Sequence, residues 1–224
     1  MRYTVKDFAK KFQSLAGDTT LDAPEEFIIN GINWAFNELP MVPKLGRIFA
    51  RHYTKNLDAK GHYRWDLNGD FRRLNDMPMI NFWTSTGGEL CKLNVCHKDE
   101  VEFYNKNGIP YLKKDGKPCE YTLEQEGDKV YLVFDRPLNV PVIVDYIAYG
   151  FPKPVTSYED EIEISAIAEN LILQVLHSVW YQEADDMAFA GAIDDYLDNK
   201  ALPQAIQMLN KRYGCEEPVI LGEM

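Results

Sequence analysis

From Ile164 to Trp180 an apolar side chain returns every three or four residues, at Ile164, Ile167, Ala168, Leu171, Ile172, Val175, Leu176, Val179 and Trp180. A run of that period, more than four turns long and free of Gly and Pro, reads as an α-helix with one apolar face. Such a face has to be covered, so other helices are expected beside it. Thr4 and Asp7 have the spacing of a capping box ahead of Val5, Phe8, Ala9, Phe12, Leu15 and Ala16, which predicts a short helix ending before Gly17. Asp22 and Pro24 open a second helix with Ile28, Ile32, Ala35, Phe36 and Leu39 on its apolar face and Pro40 and Pro43 at its end. Trp34 lies off that stripe, near Phe27 and Gly31, and is expected to mark a second buried face. Downstream, Ala188, Phe189, Ala192, Ile193, Tyr196 and Leu197 predict a helix within 184–198, and a further helix begins near Leu202-Pro203 and ends at Gly214.

Between Ile48 and Phe151 the texture changes to short aromatic and β-branched runs broken by Gly, Asn and Pro, which predicts antiparallel strands. The candidates are Ile48–Tyr53, His62–Asp66, Met79–Thr84, Tyr121–Gln125, Lys129–Asp135 and Pro141–Tyr149. Glu126-Gly127-Asp128 is the clearest hairpin turn and Arg136–Asn139 the next, so the last three strands are expected to form a meander. Lys98–Asn105 reads as an interrupting helical turn and Asp115-Gly116 as a tight turn. The expected fold is therefore α+β: a helical bundle with one long central helix and an inserted antiparallel β region. Its parts are N-terminal helices in 1–45, the β insertion in 46–153, C-terminal helices in 154–214 and an extended tail in 215–224. The tail lacks periodicity but holds an apolar patch, Pro218-Val219-Ile220-Leu221.

With 224 residues, 46% hydrophobic and 26% charged, the chain is an ordinary globular sequence rather than a disordered or fibrous one. Its first residues lack the apolar core of a signal peptide and no stretch reaches the length of a membrane span, so a soluble, unexported chain with no membrane partner is expected. Four cysteines, Cys91, Cys96, Cys119 and Cys215, suggest free thiols in a reducing compartment. The net charge of −11 is uneven. From Pro154 to Asn199 there are eleven acids, Asp185, Asp186, Asp194 and Asp195 among them, and no Lys or Arg. Lys44 to Arg73 holds eight basic residues against three acids. Such polarity fits head-to-tail self-association of a basic face with an acidic one, or simply two solvated surfaces.

The sequence offers no chemistry of a common kind. Phosphate-binding loops, dinucleotide fingerprints, nucleophile elbows and His-Glu-x-x-His are all absent, which predicts no catalytic residues, no metal and no cofactor. Asp66-Leu67-Asn68-Gly69-Asp70 has its Gly at the fourth position where a calcium loop needs it at the sixth, and an Asx-rich turn accounts for the run. Cys91, Cys96 and His97 fit no usual zinc spacing and, among Leu90, Leu93 and Val95, read as buried structural thiols. His177 reads as a boundary residue of the long helix. The paired aspartates lack the Glu-x-x-His partner of a carboxylate metal site and read as a solvated or lumen-facing acidic surface. Arg47, Arg51, Lys55, Lys60, Arg64, Arg72 and Arg73 interleave with Phe49, Tyr53, Tyr63, Trp65 and Phe71, as a groove for single-stranded nucleic acid requires. Strands that alternate core aromatics with solvated cations produce the same pattern, and a net charge of −11 favours that plainer reading.

The order of parts, with Trp34-Ala35-Phe36-Asn37-Glu38-Leu39-Pro40 closing the N-terminal helices, a β insertion, the apolar run Ile164 to Trp180 and a free tail, resembles the head-to-tail adaptor, or ring, proteins of short-tailed bacteriophages. These are also called tail tubular protein A or gatekeeper proteins, and the likeness is greatest to the ring proteins of crAss-like phages. The resemblance covers nearly the whole chain and rests on layout rather than on a short motif. It implies a non-enzymatic virion protein of the tail connector, assembled in the host bacterial cytoplasm, whose copies pack side by side into a dodecameric ring under the portal protein. It further implies that Ile164, Ile167, Leu171, Val175 and Trp180 belong to the bundle and oligomer helix. Pro218, Val219, Ile220 and Leu221 would dock on the portal. Asp185, Asp186, Asp194 and Asp195 would line a lumen or interface, and Arg47, Arg51, Arg64, Arg72 and Arg73 the opposing basic face. Further tail or ring proteins are implied partners, and DNA would pass through the lumen without specific binding. The β region, about 100 residues, is long for that family and suggests a docking platform for another tail component.

Overall fold

The computed structural model describes residues 2–15, 23–58, 61–86, 89–98 and 116–213. Strand β1 (Arg2–Thr4) runs directly into helix α1 (Val5–Leu15). The junction is the capping box legible in the sequence: the Thr4 hydroxyl donates to the Asp7 carboxylate at 2.9 Å and accepts the Asp7 N–H at 3.2 Å. Helix α2 (Glu25–Glu38) follows and ends in two 3₁₀ turns, Leu39–Met41 and Pro43–Leu45, each carrying a proline that cannot continue an α-helix.

Ten strands come next: β2 (Arg51–Leu57), β3 (Arg64–Asp66), β4 (Phe71–Leu74), β5 (Met79–Thr86), β6 (Glu89–Leu93), β7 (Cys96–His97), β8 (Glu120–Glu126), β9 (Lys129–Phe134), β10 (Val142–Ala148) and β11 (Gly150–Pro152). One four-stranded sheet has the order β2-β10-β5-β6 and a second has β3-β9-β8-β7, while β4 pairs with β11. The chain then forms β12 (Glu161–Glu163), which pairs with β1, and the helices α3 (Ala166–Glu183), α4 (Met187–Tyr196) and α5 (Leu202–Tyr213). A π-helical turn at Leu197–Ala201 joins α4 to α5, with the flanking Tyr196 and Leu202 both in right-handed helical conformation. Pro203 has no N–H for a regular helical bond and its ring crowds the preceding turn, and the wider turn directly before it lets the chain stay helical from Met187 to Tyr213.

Two compact units result. One holds the described residues within Met1–Phe49 and Pro154–Met224, the other those within Ala50–Lys153. In the helical unit Val5, Phe8 and Phe12 of α1, Ile28, Ile32 and Phe36 of α2, and Leu171, Ile172 and Leu176 of α3 are buried together. Phe27 and Trp180 meet edge to face at 5.1 Å beside them. Gly31 permits the approach of α2 to α3, since a Cβ there would lie 2.0 Å from Leu176 Cδ2. In the β unit the two larger sheets share a core through Phe82, which touches Tyr121 and Phe134 at centroid distances of 4.9 and 5.4 Å. Tyr53 stacks on the buried Tyr146 at 5.3 Å, and the Tyr146 hydroxyl donates to the Leu67 carbonyl.

The expectation of a helical bundle with one long central helix plus an inserted antiparallel β region is overturned. The described residues form twelve strands in four sheets against five α-helices, and β1 and β12 lie among the helices. Ile164 precedes α3, whose N-cap is Ser165 with its hydroxyl accepting the Ala168 N–H. Within the apolar run Ile167, Val175 and Trp180 are only partly covered and Val179 is exposed, whereas Leu173, His177 and Ser178, off the stripe, are buried. The buried side of α3 is thus shared among short neighbours instead of forming the axis of a bundle.

Other expectations are corrected too. The three-strand meander does not form: β8 and β9 are a hairpin, but β10 belongs to the other sheet. The chain turns that corner because Asp135, Pro137 and Leu138 are buried there, with Asp135 accepting the N–H groups of Cys119 and Glu120. Trp34 is 47% exposed and marks no second buried face. Cys91 and Cys96 are exposed rather than buried, β6 and β7 being the edge strands of their sheets, and Cys119 is exposed as well. The turns read at Lys98–Asn105 and Asp115-Gly116 lie, but for Lys98 and Gly116, outside the described residues, as do Cys215 and Pro218–Leu221.

Candidate functional site

The whole net charge resides in one unit. The sequence of the helical unit carries nine Lys and Arg against twenty Asp and Glu, and that of the β unit fifteen against fifteen. The acids concentrate around α4. Asp186 caps it, its carboxylate accepting the Phe189 N–H at 3.2 Å, and Asp185 precedes it at φ 58°. Asp194 accepts the Ser178 hydroxyl at 2.5 Å, tying α4 to α3, and Asp195 accepts the Asn199 amide at 2.7 Å. No ion pair among the described residues involves any of these four aspartates.

Helix α4 itself, Met-Ala-Phe-Ala-Gly-Ala-Ile-Asp-Asp-Tyr, is apolar over its first seven residues, and Ala190 is its one buried residue. Met187 is 67% and Phe189 56% exposed, and Ala188, Gly191, Ala192 and Tyr196 also face solvent. Met187 and Phe189 leave large apolar surface in water, where burying each fully would be worth about 1.5–3 kcal/mol. These residues were not singled out in the sequence as a surface. The signal was present, because Met187, Ala188 and Phe189 are consecutive and point in three directions around a helix that packs on one side.

Of the five arginines expected to make a basic face, Arg47 belongs to the helical unit and Arg51, Arg64, Arg72 and Arg73 to the β unit. Arg47 lies in the helical unit and donates to the Tyr213 carbonyl at 3.1 Å. In the β unit Arg51 is paired with Asp70 at 3.2 Å, and Arg64 with Glu126 at 2.7 Å and Glu124 at 3.5 Å. Arg72 and Arg73 are exposed on β4, each 5.4 Å from the centre of the Phe151 ring. The interleaved aromatics turn mostly inward: Phe49 and Phe71 are buried, Tyr53 stacks on Tyr146, and Trp65 meets Phe134 edge to face at 5.4 Å.

The remaining polar clusters have structural partners. Asn68 is buried in the Asx-rich turn, donating to the carbonyls of Arg72 and Asp128 and accepting the Val130 N–H, while Gly69 takes φ 58°. No described group of three or more His, Cys, Asp or Glu could hold a metal ion. A recess of about 340 Å³ between α1 and α3 contains Glu169, but its carboxylate already accepts the Tyr3 hydroxyl at 2.8 Å and pairs with Lys11. Burial first, and that hydrogen bond second, push the Tyr3 hydroxyl well above the usual tyrosine range. His177 is buried, not at a boundary. No described helix is long and apolar enough to cross a membrane.

Compared with known families and with curated proteins, the chain matches no family model and no curated sequence.

Proposed function

We propose that this protein is a structural, non-enzymatic component of a virion that assembles with copies of itself into a ring between the portal and the tail of a short-tailed phage. The observation that carries the reading is α4: a ten-residue helix, apolar over its first seven positions, on which Ala190 is the one buried residue and Met187 and Phe189 are 67% and 56% exposed. A face of this kind is stable in water when another subunit completes it. The sequence layout that resembles phage adaptor proteins supplies the setting, with the portal and further tail proteins as partners. The charge of −11, carried entirely by the helical unit, suits a conduit that DNA must traverse without sticking.

The test is the mass of the purified chain by light scattering, alone and mixed with the portal protein of the same genome. Assembly to a ring, alone or on the portal, supports the reading. A chain that stays monomeric with the portal, and whose mass shifts only on single-stranded nucleic acid in a salt-dependent way, overturns it in favour of nucleic-acid binding.

A further inference from the structure

The helical run from Met187 to Tyr213, about 40 Å long at 1.5 Å per residue, is charged in opposite senses at its two ends. Its first part carries the exposed Asp195 and, in the π turn, the exposed Asp198, together with Met187 and Phe189, 67% and 56% exposed, and the partly exposed Tyr196. From Asn199 to Tyr213 there is no acid, and Met208, Lys211 and Arg212, spaced i, i+3 and i+4, share one exposed face. The 3₁₀ turn Pro43–Leu45 packs against α5 and adds the exposed Lys44, preceded by the exposed Met41 and Val42. Acids at a helix N-terminus and bases at its C-terminus also favour the helix itself. That accounts for the sign of the charges and leaves the apolar residues among them unexplained.

Two copies cannot join α4 to α4 without setting aspartates against aspartates, a like-charge arrangement that costs several kcal/mol. The basic, apolar end of α5 has the complementary sign. We infer that the uncovered face of α4 in one copy docks on the α5 end of a second copy, Asp195 and Asp198 meeting Lys211 and Arg212. The inference rests on the assembly reading above and names its contact. Because the two surfaces differ, the contact is heterologous, the kind that generates a ring when its rotation closes.

The experiment uses the full chain and two variants, Asp195→Lys/Asp198→Lys and Lys211→Glu/Arg212→Glu, with mass followed by sedimentation over a range of concentrations. Each variant alone opposes like charges at every contact, and its self-association is weakened by at least about tenfold. An equimolar mixture regains the wild-type mass, since the reversed α4 of one variant matches the reversed α5 of the other; that recovery also shows both are folded. Variants that assemble as the wild type does, or a mixture that stays dissociated, overturn the contact while leaving an assembling wild type to support the ring. Wild-type assembly that is charge-sensitive but stops at a pair keeps the contact and counts against the ring. A wild type monomeric at every concentration overturns the contact.

Discussion

The imidazole of His177 lies flat on the phenyl ring of Phe12, 4.3 Å between centroids and 18° from parallel, while its Nε2 reaches the carbonyl oxygen of Phe12 itself at 2.9 Å. A carbonyl only accepts, so Nε2 carries the hydrogen. Burial pulls the His177 pKa below the ordinary value near 6.5, and the bond to Phe12 offsets only part of that. Above that ordinary value the folded and unfolded chains are both neutral here and the contact contributes fully. As pH falls below it, the unfolded chain takes up a proton that the folded chain resists, and stability is lost until the lowered folded pKa is reached. Calorimetry between about pH 7 and pH 5 should show a fall in Tm that is shallower in His177→Phe, which keeps the stack and cannot titrate. Equal slopes in the two chains would contradict this account.

Gly31 makes a second prediction. Alanine there gains helix propensity worth about 1 kcal/mol, but its Cβ would lie 2.0 Å from the buried Leu176. Overpacking of this sort costs about 1–3 kcal/mol. Gly31→Ala should therefore lower the urea midpoint, and Gly31→Ala/Leu176→Ala should cost less than the separate losses combined. A stabilised single variant would show that α3 yields at no cost.

Asn68 closes the turn before β4 with three hydrogen bonds, to the Arg72 and Asp128 carbonyls and from the Val130 N–H. Replacement by Ala strands these groups, and a buried unsatisfied donor alone costs about 1–3 kcal/mol. Asn68→Ala should be destabilised by about 2–4 kcal/mol in equilibrium denaturation, with hydrogen exchange at Val130 accelerated relative to β10. Unchanged exchange at Val130 would count against the bond.

Asp135 concerns acid stability. Burial pushes its carboxyl pKa up, but the Arg136 guanidinium, at 2.8 and 2.9 Å, and the N–H groups of Cys119 and Glu120 outweigh burial and hold it below the ordinary value. The stability it adds is full above the ordinary carboxylate range and is lost as pH falls through the lowered folded pKa. Asp135→Asn should be less stable than the wild type at neutral pH, by about 1–3 kcal/mol, as the partly exposed Arg136 and the N–H groups of Cys119 and Glu120 lose a carboxylate acceptor. The gap should narrow on acidification below about pH 4. A gap independent of pH would mean that the ionised form is not what matters.

Local signals were the legible part of this fold. Thr4 and Asp7 announced the start of α1 because a capping box is complete within four residues, and Gly127, at φ 59° between β8 and β9, announced the hairpin. Strands of two to four residues such as β1, β4, β7, β11 and β12 escaped, since Glu-Ile-Glu or Cys-His has too few positions to show alternation and is a strand only by virtue of a distant partner. Which sheet β10 joins depended on the burial of Asp135 and Leu138, a tertiary fact with no period. The acidic content of 154–199 was readable, and the consecutive Met187, Ala188 and Phe189 signalled that part of this apolar run must face away from the core, but which of them stays exposed depends on what reaches each and not on composition.

The π turn at Leu197–Ala201 has a consequence for phase. A turn closed by bonds to the fifth residue holds one residue more than its neighbours, so the residues of α5 stand about 100° short of where an unbroken α-helix continued from α4 would place them. A helical wheel drawn straight through from Met187 to Tyr213 therefore assigns Met208, Lys211 and Arg212 to the wrong side. Deleting one residue between 197 and 201 would bring the two halves back into step, at the expense of setting the Pro203 ring against the turn before it. The extra residue thus fixes the angle between the acidic and basic ends of this helical run.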